Sequence, residues 1–136
     1  MSNHYLSSRA ALLAALKAKT GSTKIITDGS FDDKEPQYLR FTYMPSGDTP
    51  ATLGENGNDE FVGFAQVDCC TLASKGFKAH FDMIAKIRSA YSYSEPLSYG
   101  GVSVRVTDVS ASPIPIDNDM YQRMALSIFF SYRVGR

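Results

Sequence analysis

An α+β domain, with a mainly antiparallel sheet of four to five strands and two helices packed on one of its faces, is the architecture that these 136 residues predict. Two amphipathic helical segments sit among four to five runs that alternate with period two, and hairpin-scale connections join most of those runs. The stretch Tyr121 to Val134 carries the strongest strand signal. Met124, Leu126, Ile128, Phe130 and Tyr132 fall on one face, while Arg123, Ala125, Ser127, Phe129, Ser131 and Arg133 fall on the other. With no Gly or Pro inside it, this run predicts a central strand. Phe129 is the misfit, a large aromatic on the mixed face that calls for a second layer or a partner chain.

The elements follow in order. Residues 5 to 19 predict a helix with an apolar stripe of Leu6, Ala10, Leu13 and Leu16, capped by Asn3 or Ser2 and stopped by Gly21. Lys24 to Thr27 is a short strand, and the acidic stretch Asp28 to Gln37 is a surface connection. Tyr38 to Met44 is a second strand, ended by Pro45, with aromatics on both faces. Ser46 to Glu60 predicts a long loop with three Gly, one Pro, four acidic residues and no basic one. For the isolated chain a solvated, mobile hairpin tip is the expectation; the alternative is a loop that orders against a neighbour. Phe61 to Thr71 is a third strand. Lys75 to Tyr91 is a second helix, with Phe77, Phe81, Ile84, Ile87 and Tyr91 as its stripe and Ser74 as its cap. A Tyr/Ser-rich connection leads to a fourth strand, Val102 to Val109. Ser110 to Asn118 then turns the chain into the final strand. No repeat or second domain interrupts residues 1 to 136, so a single domain is expected.

Fourteen basic and fourteen acidic residues cancel, which argues against a dedicated nucleic-acid binder. No apolar run reaches the ~20 residues of a membrane helix, and no signal-peptide pattern opens the sequence. Cys69 and Cys70 are adjacent and project to opposite strand faces, so they read as small buried hydrophobes of a reduced, cytosolic protein. His4 and His80 do not complete a metal site with them. Asp117-Asn118-Asp119 lacks the glycine and closing glutamate of a calcium loop. Tyr91, Tyr93 and Tyr99 lack the interleaved basic residues of a base-stacking platform. Phosphate loops, dinucleotide fingerprints and nucleophile elbows are missing as well. The sequence predicts no enzyme, no cofactor and no metal.

What remains is charge distribution. Acidic residues concentrate in connections (Asp28, Asp32, Asp33, Glu35, then Asp48, Glu55, Asp59, Glu60), basic residues on helices (Arg9, Lys17, Lys19, then Lys75, Lys78, Lys86, Arg88). Two solvated faces are the plain reading; head-to-tail self-association is the functional one.

The helix RAALLAALK, the strand YLRFTYMP with the polar loop after it, the strand FVGFAQVDCCT, the helix FKAHFDMIAKIRSAY and the hairpin VSVRVTDV … MYQRMALSIFFSYRV together resemble the tail terminator proteins of long-tailed bacteriophages, the lambda-type minor tail protein U family. The resemblance spans nearly the whole chain and rests on element order and character. It implies a virion protein of the phage tail or neck, assembled in the host cytoplasm. Such a protein forms a homo-oligomeric, hexameric ring that caps the tail tube, halts its polymerisation and meets the head-side connector. By that analogy Asp48, Glu55, Asp59 and Glu60 are expected at a subunit or tube contact and Lys75, Lys78, Lys86 and Arg88 on the complementary side; Phe129, from its place on the mixed strand face, joins them as a candidate interface residue. The partners expected are other copies of the chain, the tail tube protein and a connector or head-closure protein. A head-closure or head–tail joining protein is the nearest alternative, and a small enzyme or ligand-binding domain a third.

Overall fold

In the computed structural model the described residues are 3–21, 23–27, 37–50, 57–72, 77–91, 95–114 and 121–135. They form helix α1 (His4–Thr20), strands β1 (Lys24–Thr27), β2 (Gln37–Pro50) and β3 (Asn58–Leu72), helix α2 (Phe77–Ala90), and strands β4 (Leu97–Tyr99), β5 (Val102–Ile114) and β6 (Tyr121–Gly135). The sheet has six strands in the order β1-β2-β3-β6-β5-β4. It is therefore mixed and larger than the four to five strands expected. The added strand is β4, which pairs antiparallel with Val102–Val104. β1 runs parallel to β2; every other neighbouring pair is antiparallel. β6 lies between β3 and β5, the central place its sequence demanded.

The core forms where the inward faces of β2, β3, β5 and β6 meet the helices. Leu39, Phe41, Ala65, Val67, Cys69, Val104, Val106, Leu126, Ile128, Phe130 and Tyr132 pack with Leu12, Leu16, Met83, Ile87 and Tyr91. α1 starts where expected, because the Asn3 side chain accepts from the amides of Tyr5 (3.0 Å) and Leu6 (3.3 Å), satisfying two donors of the first turn. Gly21, at φ 62°, ends it and donates its amide to the Lys17 carbonyl. The Tyr91 hydroxyl donates to the Leu12 carbonyl at 2.8 Å and so ties the end of α2 to the middle of α1.

Both helical stripes differ from expectation. α1 buries Ser7, Ser8, Ala11, Leu12 and Leu16, whereas Leu6 is 62% exposed. Small residues face inward in its first turn because the β4–β5 turn approaches so closely: a Cβ on Gly100 would stand 2.6 Å from the Ser7 Oγ. α2 buries His80, Met83, Ile84, Ile87 and Ala90, leaving Phe77 and Phe81 in solvent.

The 46–60 loop is also shorter than its composition suggested. β2 continues to Pro50 and β3 begins at Asn58, their pairing extended by Gly47↔Val62, Asp48↔Phe61, Thr49↔Glu60 and Pro50↔Asp59 past an irregularity between Pro45 and Gly47. Backbone hydrogen bonding holds a polar strand end that apolar alternation could not reveal. β5 likewise runs on through Pro113, beyond the three residues that β4 covers, at an open edge where a proline is tolerated.

Candidate functional site

Because the helices cover one side of the sheet, the opposite side is read directly from strand register, partners across a ladder sharing a face. Successive rows run Glu60–Arg133, then Val62–Ser131–Arg105, then Met44–Phe64–Phe129–Asp108, then Thr42–Gln66–Ser127–Ser110, then Arg40–Asp68–Ala125–Ser112. One row is thus aromatic, the row beside it carries Val62, and the others are mainly polar or charged. The Phe64 and Phe129 rings meet at 5.7 Å; Phe129 is 39% and Val62 43% exposed. They border an apolar hollow of about 380 Å³ with Ser46, Gly63 and Thr107 on its rim. Next to it, sharing Ser131, lies a polar hollow of about 430 Å³ between Arg105, Arg133, Glu60 and Pro96. At the far end Tyr38, Ile26 and Cys70 form a small second cluster, in which Tyr38 hydrogen-bonds Cys70 and Arg123.

The expected interface residues do not converge on one spot. Asp48, Asp59 and Glu60 lie along the outer end of the β2–β3 hairpin. Lys78, Lys86 and Arg88 are exposed on α2, and Lys78 pairs with Asp82 at 2.9 Å. At about 100° per residue these three cations spread around the solvent side of the helix and do not form one row. Phe129 stands on the bare sheet face. Glu55, Lys75, the Ser74 cap, Tyr93 and Asp117–Asp119 lie outside the described residues.

Sequence reasoning missed a second aromatic pair. Phe77 (66% exposed) and Phe81 (52% exposed) stack at 5.7 Å on α2. Their apolar periodicity had placed them in the core, and only the position of α2 on the sheet reveals them as surface.

Among the described residues both cysteines and His80 lie buried in the core. Burial pushes the Cys69 thiol up to about 12, so it is no thiolate at neutral pH. Burial likewise raises Cys70 and lowers His80. The His80 Nδ1 shares a hydrogen bond with the Thr71 hydroxyl at 3.0 Å and lies 3.8 Å from the Cys69 sulfur. His4, at the opposite end of the core, hydrogen-bonds the Tyr132 hydroxyl at 2.9 Å and packs its ring, tilted, against Phe61 at 4.3 Å. Among the described residues no three His, Cys, Asp or Glu side chains could jointly hold a metal ion. Among the described residues the surface carries exposed aromatics at Phe129, at Phe77 and Phe81, and at Tyr5 and Tyr99.

Comparison with known proteins gives two kinds of match. A family model described as phage tail terminator protein matches residues 8–130. Among solved structures, one chain is 18% identical over 98% of this chain and 97% of its own, with a TM-score of 0.71. A chain from the virion of a native gene transfer agent particle is 16% identical over 96% of each, with a TM-score of 0.55. At these identities the two structures bear on the fold alone. No curated protein matches the sequence.

Proposed function

Because the chain belongs to the phage tail terminator protein family, a family of structural proteins of the virion tail and neck, we propose that it assembles into a ring, by analogy a hexamer, that caps the tail tube. In that role it halts tube polymerisation and presents its other side to the head-side connector. The family match over 8–130 carries this reading. The bare sheet face supports it physically: an aromatic row crosses an otherwise mainly polar face, the pattern of a surface made to be covered. The acidic hairpin end (Asp48, Asp59, Glu60) and the cations of α2 (Lys78, Lys86, Arg88) suit contacts between unlike surfaces, whether between subunits or toward the tube.

The decisive experiment adds the purified protein to polymerising tail tube protein and reads tube length by negative-stain microscopy. Capping predicts tubes that stop growing once the protein is present, with a ring of density at one end. Unchanged growth, with the protein bound instead to connector or head-closure components, would make it a joining protein and overturn the terminator reading.

A further inference from the structure

We infer that the bare sheet face is the socket for the α2 aromatic pair of a second copy of this chain, with Arg88 of one copy meeting Asp68 of the next. This deepens the ring reading above and rests on it.

The first observation is complementarity of kind. The described surface carries a stacked aromatic pair, Phe77 and Phe81, on a helix, and an apolar hollow, walled by Val62, Phe64 and Phe129, on the sheet. A helix bearing two aromatics one turn apart is a knob that fits a hollow between strands.

Direction is the second. The buried stripe of α2 centres on His80, Ile84 and Ile87. At about 100° per residue, Phe77, Phe81 and Arg88 share one flank, roughly a quarter turn from that stripe. The stripe points at the sheet, and the socket faces out on the sheet's far side. Knob and socket therefore point roughly at right angles, not in opposite directions. Unlike patches inclined to each other give a curved head-to-tail contact, the kind that a ring requires, and the copy number follows from the exact rotation. Opposed patches would propagate a straight filament.

Charge and spacing supply the third. Arg88 lies seven residues beyond Phe81, about 10 Å along the helix. Asp68 lies four residues beyond Phe64 on β3, about 13 Å along the strand, within reach of an arginine side chain. Asp68 is half-buried on the same face, held by the Gln66 amide at 2.8 Å. With the aromatic pair seated on Phe64 and Phe129, opposite charges coincide.

Mixing variants tests this. Phe81→Arg destroys the knob and keeps the socket; Phe129→Arg does the reverse. Both positions are exposed, so unchanged circular dichroism serves as the folding control. In sedimentation, each variant alone is expected to lose self-association by 100-fold or more, while an equimolar mixture forms 1:1 heterodimers through the one intact interface. Arg88→Asp and Asp68→Arg should each weaken association tenfold or more and restore it when combined in one chain. Variants that still form wild-type rings, or a mixture that stays monomeric, would overturn the inference and leave the ring reading standing. A wild-type chain that neither associates nor caps tubes would overturn both.

Discussion

Gly63 marks the tightest point in the sheet, and Gly63→Ala gives the sharpest prediction. The residue pairs with Pro45 on one side and Phe130 on the other, and the Tyr43 and Phe130 rings stack at 5.5 Å across it. A Cβ there would stand 2.7 Å from the Met44 carbonyl oxygen, 2.9 Å from the Pro45 Cα and 3.0 Å from the Phe130 ring. Two of those obstacles are backbone, at the irregularity where β2 bends, so a rotamer change cannot clear them. Overpacking costs about 1–3 kcal/mol, and backbone obstacles put this site toward the upper end. Reduced freedom of the unfolded chain returns about 0.4–1 kcal/mol. The net is a loss of about 2 kcal/mol, or a fall of roughly 8 °C in Tm for a chain of this size. Thermal and urea unfolding at one fixed protein concentration measure it, so that self-association does not shift the midpoint. Gly47→Ala is the control, since nothing lies within 4 Å of its added Cβ; it should be neutral or slightly stabilising. If Gly63→Ala behaved like Gly47→Ala, the close approach of β2 to β3 would be refuted.

Two further outcomes follow from buried polar groups. Tyr91→Phe removes the hydroxyl that donates to the Leu12 carbonyl, and should cost about 1–2 kcal/mol in urea unfolding. Burial lowers the pKa of His80, so the folded state resists its protonation while the unfolded state accepts it near 6.5. Its contribution is therefore fully present above that value and is lost as pH falls toward the lowered folded pKa, by up to about 1.4 kcal/mol per pH unit. Urea midpoints of the wild type and His80→Gln between pH 5 and 7.5 should diverge in slope; parallel curves would remove His80 as the source.

The sequence was most legible where burial and periodicity coincide. Leu126, Ile128, Phe130 and Tyr132 all turn inward as their alternation requires, and Cys69 and Cys70 are both buried, on opposite faces. It was least legible where hydrogen bonding acts without hydrophobic pattern. Thr49 to Pro50 and Asn58 to Glu60 are strand because their backbones pair, and β4 is only three residues long in a Tyr/Ser-rich connection. Phe77 and Phe81 misled for another reason: a period of 3.6 identifies an apolar flank without saying what it faces. Of the candidate interface, Phe129 was legible as a large residue on the wrong side of its strand. Its partners Val62 and Phe64 needed the register of β3 against β6.

The central place of β6 has a consequence for how the chain is made. Translation delivers α1, β1, β2, β3 and α2 before the strand that joins β3 to β5 exists. Until Tyr121–Gly135 leaves the ribosome, β3 has one open side and β5 lacks its long ladder partner, so β4–β5 can rest only on α1. The nascent chain thus carries its aromatic surfaces without a finished sheet to present them, and its slowest contacts are also its last. A chain that stops before β6 therefore lacks Phe129 and with it the aromatic row of the bare face.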